Sequence, residues 1–203
     1  MKEFTAQQEA AIEEKATLLG RYPIKELEFI VTEKRLNWID KYRNDFEEIK
    51  GDYGVAGVYP LIRAFFELYM GVPKYSYDIS INHDMDSGIF GLDIKSSNFC
   101  PYLEACKKLE ISSEIVCKDV LEQPLQTVLD EIYPERFTFF RSFYRPSHDY
   151  CLEHVSTFVS IPESLEIIKF FEPERYEEII KVWPLSEIVQ EVPLVESLLI
   201  RPD

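Results

Sequence analysis

No stretch of the 203-residue chain approaches the roughly 20 consecutive apolar residues of a membrane-spanning helix. Positive charge is scarce as well: 22 Lys and Arg stand against 37 Asp and Glu, a net charge of −15. Nucleic acids and anionic membrane surfaces are held by basic stripes, so neither is an expected partner. The residues from Met1 to Lys15 lack the apolar centre of a signal peptide, and the expected location is the cytoplasm. Histidines number three, and no H-E-x-x-H, G-x-S-x-G, P-loop or Rossmann fingerprint occurs. Phosphate-handling and nicotinamide chemistry lose support accordingly. The four cysteines, at 100, 106, 117 and 151, contain no C-x2–4-C knuckle of the structural zinc type. In a cytoplasmic chain they read as thiols or ligands rather than disulfides. No cofactor is expected. Zinc or an iron–sulfur cluster on Cys100, Cys106, Cys117 and Cys151 is the alternative, should folding gather them.

What is present is ordinary globular composition, 46% hydrophobic and 29% charged, with aromatics at 14%. A chain of this length forms one domain and buries roughly 70% of its unfolded surface. Thr5 and Gln8 have capping-box spacing, which predicts a helix running through Leu19 and stopped by Gly20. Leu36, Ile39, Tyr42, Phe46 and Ile49 recur at threes and fours within one long helix over 24–50. Glycines at 51, 54 and 57 break it, and a further helix follows over 61–70. The period then changes to two: Tyr75, Tyr77, Ile79 and Ile81 alternate with polar residues, and Phe90, Leu92 and Ile94 do so again beyond a turn at 84–88. Helices return over 101–109 and from an N-cap at Ser112 to Tyr133, with a kink or restart at Pro124. A second strand pair over 136–144 and 149–159 is joined through Arg145–His148, and short helices follow, one of them opened by Pro173 and another interrupted by Pro184.

The expected fold is therefore α+β: N-terminal helices (1–72), a core over 73–160, and a C-terminal helical tail (161–203), as one compact domain. The core is a four-stranded antiparallel sheet built from two hairpins with two helices between them, covered by helices on one face. A sheet face of this kind can border a cavity.

Candidate chemistry starts at Cys100. Pro101 favours the first position of a helix, which makes Cys100 the N-cap. There its thiolate would meet free backbone N–H groups and the positive helix end, both of which depress a thiol pKa. A small residue closing a turn fits the same position. Cys106, six residues on, falls on another face of the helix; it and Cys117 read as packed core thiols. On a strand, Cys151 and Glu153 share one face and Tyr150, Leu152 and His154 the other. Arg141 and Arg145 share parity with Phe137, Phe139 and Phe143, a combination that can line a cavity for a carboxylate-bearing ligand or form ion pairs at a sheet edge. Tyr102 is a further candidate for contact with such a ligand. His83 ends the first strand on its apolar parity, and His148 falls in a loop.

The ordered series Cys100-Pro101-Tyr102-Leu103-Glu104-Ala105-Cys106, Cys117, Arg145-Pro146, Tyr150-Cys151 and Glu153 resembles the L-2-amino-thiazoline-4-carboxylic acid hydrolase family over roughly 75–160. The stretch is also similar to vinyl-reductase-like small-molecule-binding domains. The first resemblance implies a thiol-dependent hydrolase of a small heterocyclic amino-acid derivative carrying a carboxylate; the second implies a small-molecule-binding sensor on the same fold. On the hydrolase reading, residue chemistry assigns Cys100, Cys151 and Glu153 to catalysis and Arg141, Arg145 and Tyr102 to substrate binding. A homodimer is compatible with either.

Overall fold

A computed structural model describes residues 3–145 and 149–182. Helix α1 (Ala6–Arg21) begins at the expected capping box: Thr5 Oγ1 accepts from the Gln8 amide, and the Gln8 side chain accepts from the Thr5 amide. It does not stop at Gly20 but passes through it: Gly20 lacks the positive φ of a helix-stopping glycine, and Tyr22 is the first residue to turn extended. The long helix expected over 24–50 is two, α2 (Ile24–Lys41) and α3 (Arg43–Tyr53), broken at Tyr42. A 3-10 turn (Gly54–Gly57) leads into α4 (Val58–Ala64), which continues as a π-helical turn over Phe65–Tyr69.

The sheet follows as β1 (Tyr77–Asp84) and β2 (Ile89–Ser96), then β3 (Thr138–Phe143) and β4 (Cys151–Phe158). It is antiparallel throughout in the order β1-β2-β4-β3, so the two hairpins meet along β2 and β4. Between them lie α5 (Pro101–Leu109), the single turn α6 (Ser113–Ile115), a π-helical segment over Val116–Leu121 and α7 (Glu122–Ile132). The restart expected at Pro124 is instead a passage without a break from the π-helical segment into α7 at Glu122, two residues earlier. Helices α8 (Ile161–Phe171) and α9 (Pro173–Val182) close the described chain. The expectations at His148 and Pro184 lie outside the described residues. The α+β expectation is met.

Alternation sorts the sheet into two faces. Phe90, Leu92, Ile94, Phe139 and Val155 point into a single hydrophobic cluster that reaches from Ala16 to Ile167. Helix α1 packs along α5, and α2 packs along α7 and the π-helical segment before it. Helix α2 turns Leu27, Val31 and Ile39 inward, all fully buried. Leu36, assigned by periodicity to the buried stripe, is only half-buried. The residue that completes the four-residue spacing is Arg35, 2% exposed.

Candidate ligand-binding site

Polar groups interrupt the inward sheet face at one end. Register sets Ser96 opposite Cys151 and puts Glu153 between Ile94 and Arg141. The chain leaves β2 at Ser96, turns through Asn98 with φ at 59°, and enters α5 with Cys100 as N-cap and Pro101 at N1, as the sequence predicts. Cys100 thereby reaches the end of the sheet where Cys151 lies. From the opposite wall come Arg35 of α2, Cys117 of the π-helical segment and apolar side chains that include Phe65 and Leu125. Arg145, just past β3, closes the ring.

These side chains surround a cavity with about 50 Å³ of internal room, enough for a few waters or part of a compact ligand. It brings together five of the six predicted site residues: Cys100, Cys151, Glu153, Arg141 and Arg145. Cys117 joins them. Tyr102 does not line it. Its ring is fully buried on α5, facing Lys15 Nζ at 5.6 Å from the ring centroid, and its hydroxyl is unpartnered. Cys106 is buried elsewhere, with its thiol pushed up to about 12 by burial. Among the described residues no three His, Cys, Asp or Glu side chains are grouped as metal ligands. The four-cysteine ligand set is therefore not assembled.

The electrostatics centre on four groups. Glu153 Oε1 accepts from Arg141 Nε at 2.8 Å and also contacts Arg141 Nη2, while Arg141 Nη1 donates to the Cys117 carbonyl at 3.0 Å. Burial works against the Arg141 charge, but Glu153 and the surrounding acceptors outweigh it and hold the guanidinium above its ordinary pKa. Glu153 Oε2 is buried with no partner. Arg35 Nη1 donates to the Leu121 carbonyl at 3.0 Å, its guanidinium lies 5.0 Å from the Phe65 ring centroid, and its Nε is unpartnered. Burial lowers its pKa. Arg145 is 7% exposed, with Nε and one terminal nitrogen unpartnered.

The two carbonyls that receive these guanidiniums, Cys117 and Leu121, belong to the π-helical segment. The segment thus holds two of the three cavity arginines found among the described residues.

One expectation is reversed. Cys100 holds the N-cap, and the Leu103 and Tyr102 amides do pull its thiol pKa down, as does Arg145. Burial is the larger effect and leaves the pKa above its ordinary value. Cys117 is raised in the same way, chiefly by burial. Both thiols are therefore neutral near pH 7.

The outward sheet face carries a separate ladder: Ser142 Oγ lies 2.7 Å from His154 Nε2, and His154 Nδ1 lies 2.7 Å from Asp93 Oδ1. Phe140 stacks on the His154 ring at 4.5 Å. Side-chain alternation puts His154 across the sheet from Glu153, so it is no base for the cavity thiols. Sequence reasoning missed Arg35 and Ser96. Arg35 carried a readable signal, a cation in step with Leu27, Val31 and Ile39; Ser96 carried the same parity as Phe90, Leu92 and Ile94.

No family model matches the chain, and neither a curated protein nor a solved structure matches it.

Proposed function

We propose that the protein binds a small carboxylate-bearing molecule in this cavity. The observation that carries the reading is Arg145, a buried guanidinium with two nitrogens unpartnered, facing the same cavity as Arg35. An unpaired buried charge is costly, and a guanidinium fork matches the two oxygens of a carboxylate. Apolar walls with a few convergent polar groups are the usual make-up of a small-molecule site.

A second reading, thiol-dependent hydrolysis of a 2-aminothiazoline-4-carboxylate-like compound, is favoured by the free oxygen of Glu153 on the cavity that Cys100 and Cys151 also line. On that reading the Cys100 sulfur attacks C2 of the ring, and Glu153 takes the thiol proton. The ring C–S bond then breaks, and the departing sulfur receives the proton. Water adds to the same carbon and expels Cys100, leaving a carbamoyl-cysteine. One water is consumed, and the enzyme thiol is regenerated.

Incubation of the full chain with 2-aminothiazoline-4-carboxylate, followed by mass spectrometry and a thermal-shift titration, separates the readings. Saturable stabilisation lost in Arg145→Gln supports binding. Ring opening lost in Cys100→Ala, with stabilisation retained, supports hydrolysis. No stabilisation by this or any other small carboxylate counts against both.

A further inference from the structure

Charge within the cavity does not balance. Among the described residues three guanidiniums, Arg35, Arg141 and Arg145, meet one carboxylate, Glu153. The Arg141–Glu153 pair is internally neutral, with both side chains 7% exposed. Neither Arg35 nor Arg145 has an acidic partner among the described residues. Cys100 and Cys117 do not redress this, because burial raises both thiol pKa values and keeps them protonated near neutral pH. Two buried positive charges are left over, and they belong to different elements, Arg35 to α2 and Arg145 to the turn after β3.

Each has a partial remedy that stops short of neutralisation. Arg35 gives one N–H to a carbonyl, meets the Tyr69 hydroxyl and lies against the Phe65 ring, yet its Nε is unused. Arg145 leaves two nitrogens unused. The Ser96 hydroxyl, also buried and unpartnered, lies on the same cavity. Unused donors of this number, on charges nine-tenths or more buried, describe a site built for anionic oxygen at two places.

We infer that the ligand is a compact dicarboxylate, with one carboxylate on Arg145 and the other on Arg35, a conclusion that rests on the binding reading above. A monocarboxylate would neutralise one guanidinium and leave its neighbour buried and unpaired. A single-centred dianion such as sulfate would bring the charge on one centre, whereas the two guanidiniums come from different elements, α2 and the turn after β3. Glu153, already bound to Arg141, repels a third anionic group and so sets the limit at two.

Isothermal titration of the full chain at low salt tests this with matched pairs: malonate against propionate and succinate against butyrate, with sulfate alongside. A charge-assisted hydrogen-bonded pair corresponds to about tenfold or more in affinity. The dicarboxylate of a pair is therefore expected to bind at least about tenfold more tightly than its monocarboxylate. Arg145→Gln and Arg35→Gln are each expected to erase that advantage. If Arg35→Gln does not fold, Arg145→Gln alone decides. Equal affinity within each pair, or sulfate binding as tightly as the better dicarboxylate, overturns the inference while leaving the binding reading in place. Binding of none of these anions overturns both.

Discussion

Replacing Glu153 by Gln removes the only carboxylate that lines the cavity among the described residues while keeping nearly the same shape. Its partner Arg141 would keep its contact with the Cys117 carbonyl and lose its counter-charge, among two further guanidiniums. Two unit charges about 4 Å apart at an effective dielectric near 20 interact by about 4 kcal/mol. Truncating one partner of a buried pair costs about 3–5 kcal/mol, because the other charge is left uncompensated. With urea slopes of about 2 kcal/mol per molar, the unfolding midpoint is expected to fall by about 2 M. The double change Arg141→Met with Glu153→Leu removes both charges, so it is expected to cost less than Glu153→Gln alone. Urea unfolding followed by circular dichroism measures both. A loss below about 1 kcal/mol in Glu153→Gln, or a double variant less stable than the single, would refute the reading of Arg141 and Glu153 as a buried pair that neutralises itself.

Three further outcomes follow from the same physics. His83 is held below its ordinary pKa by burial and then by Arg175, against the opposing pull of Glu172 and Asp84. The unfolded chain therefore binds the proton first as pH falls below about 6.5, stability drops through that window, and His83→Gln is expected to flatten this limb in urea titrations between pH 7 and 5. A Cβ at Gly57 would sit 2.6 Å from the Tyr133 hydroxyl and 3.1 Å from the Ile49 carbonyl, so Gly57→Ala is expected to lose about 1–3 kcal/mol and to disturb the Tyr133 hydrogen bond to the Gly54 carbonyl. Iodoacetamide at neutral pH is expected to modify Cys100 no faster than an ordinary exposed thiol, and more slowly still in Arg145→Gln, because burial already outweighs the helix end; peptide mapping with time shows whether Cys100 instead reacts unusually fast.

The sheet was legible because its strands alternate cleanly and its turns carry Gly, Asp and Ser. The cap at Cys100 was legible because proline restricts where a helix can begin. Parity along β4 put Cys151 beside Glu153, and the structure adds Arg141 opposite Glu153 in register. What periodicity missed has a common origin in long-range packing. The break at Tyr42 has no strong local signal, and Pro124 signals an irregularity in its helix but not the π-helical segment over Val116–Leu121, which is tied to side chains 24 and 86 residues away in sequence, Arg141 and Arg35. The pKa of Cys100 went the other way for a similar reason. The helix end is local and readable, whereas the burial that outweighs it comes from walls supplied by α2, the π-helical segment and the turn after β3.

The central claim is that Arg35 and Arg145 await anionic oxygen. A crystal structure of the full chain, grown without carboxylates and then soaked in succinate, tests it most directly. The account predicts density spanning the cavity with one carboxylate within hydrogen-bond distance of Arg145 and the other of Arg35, and with Glu153 still bound to Arg141. Both guanidiniums fully bonded to protein groups, with the cavity unchanged by the soak, would contradict it.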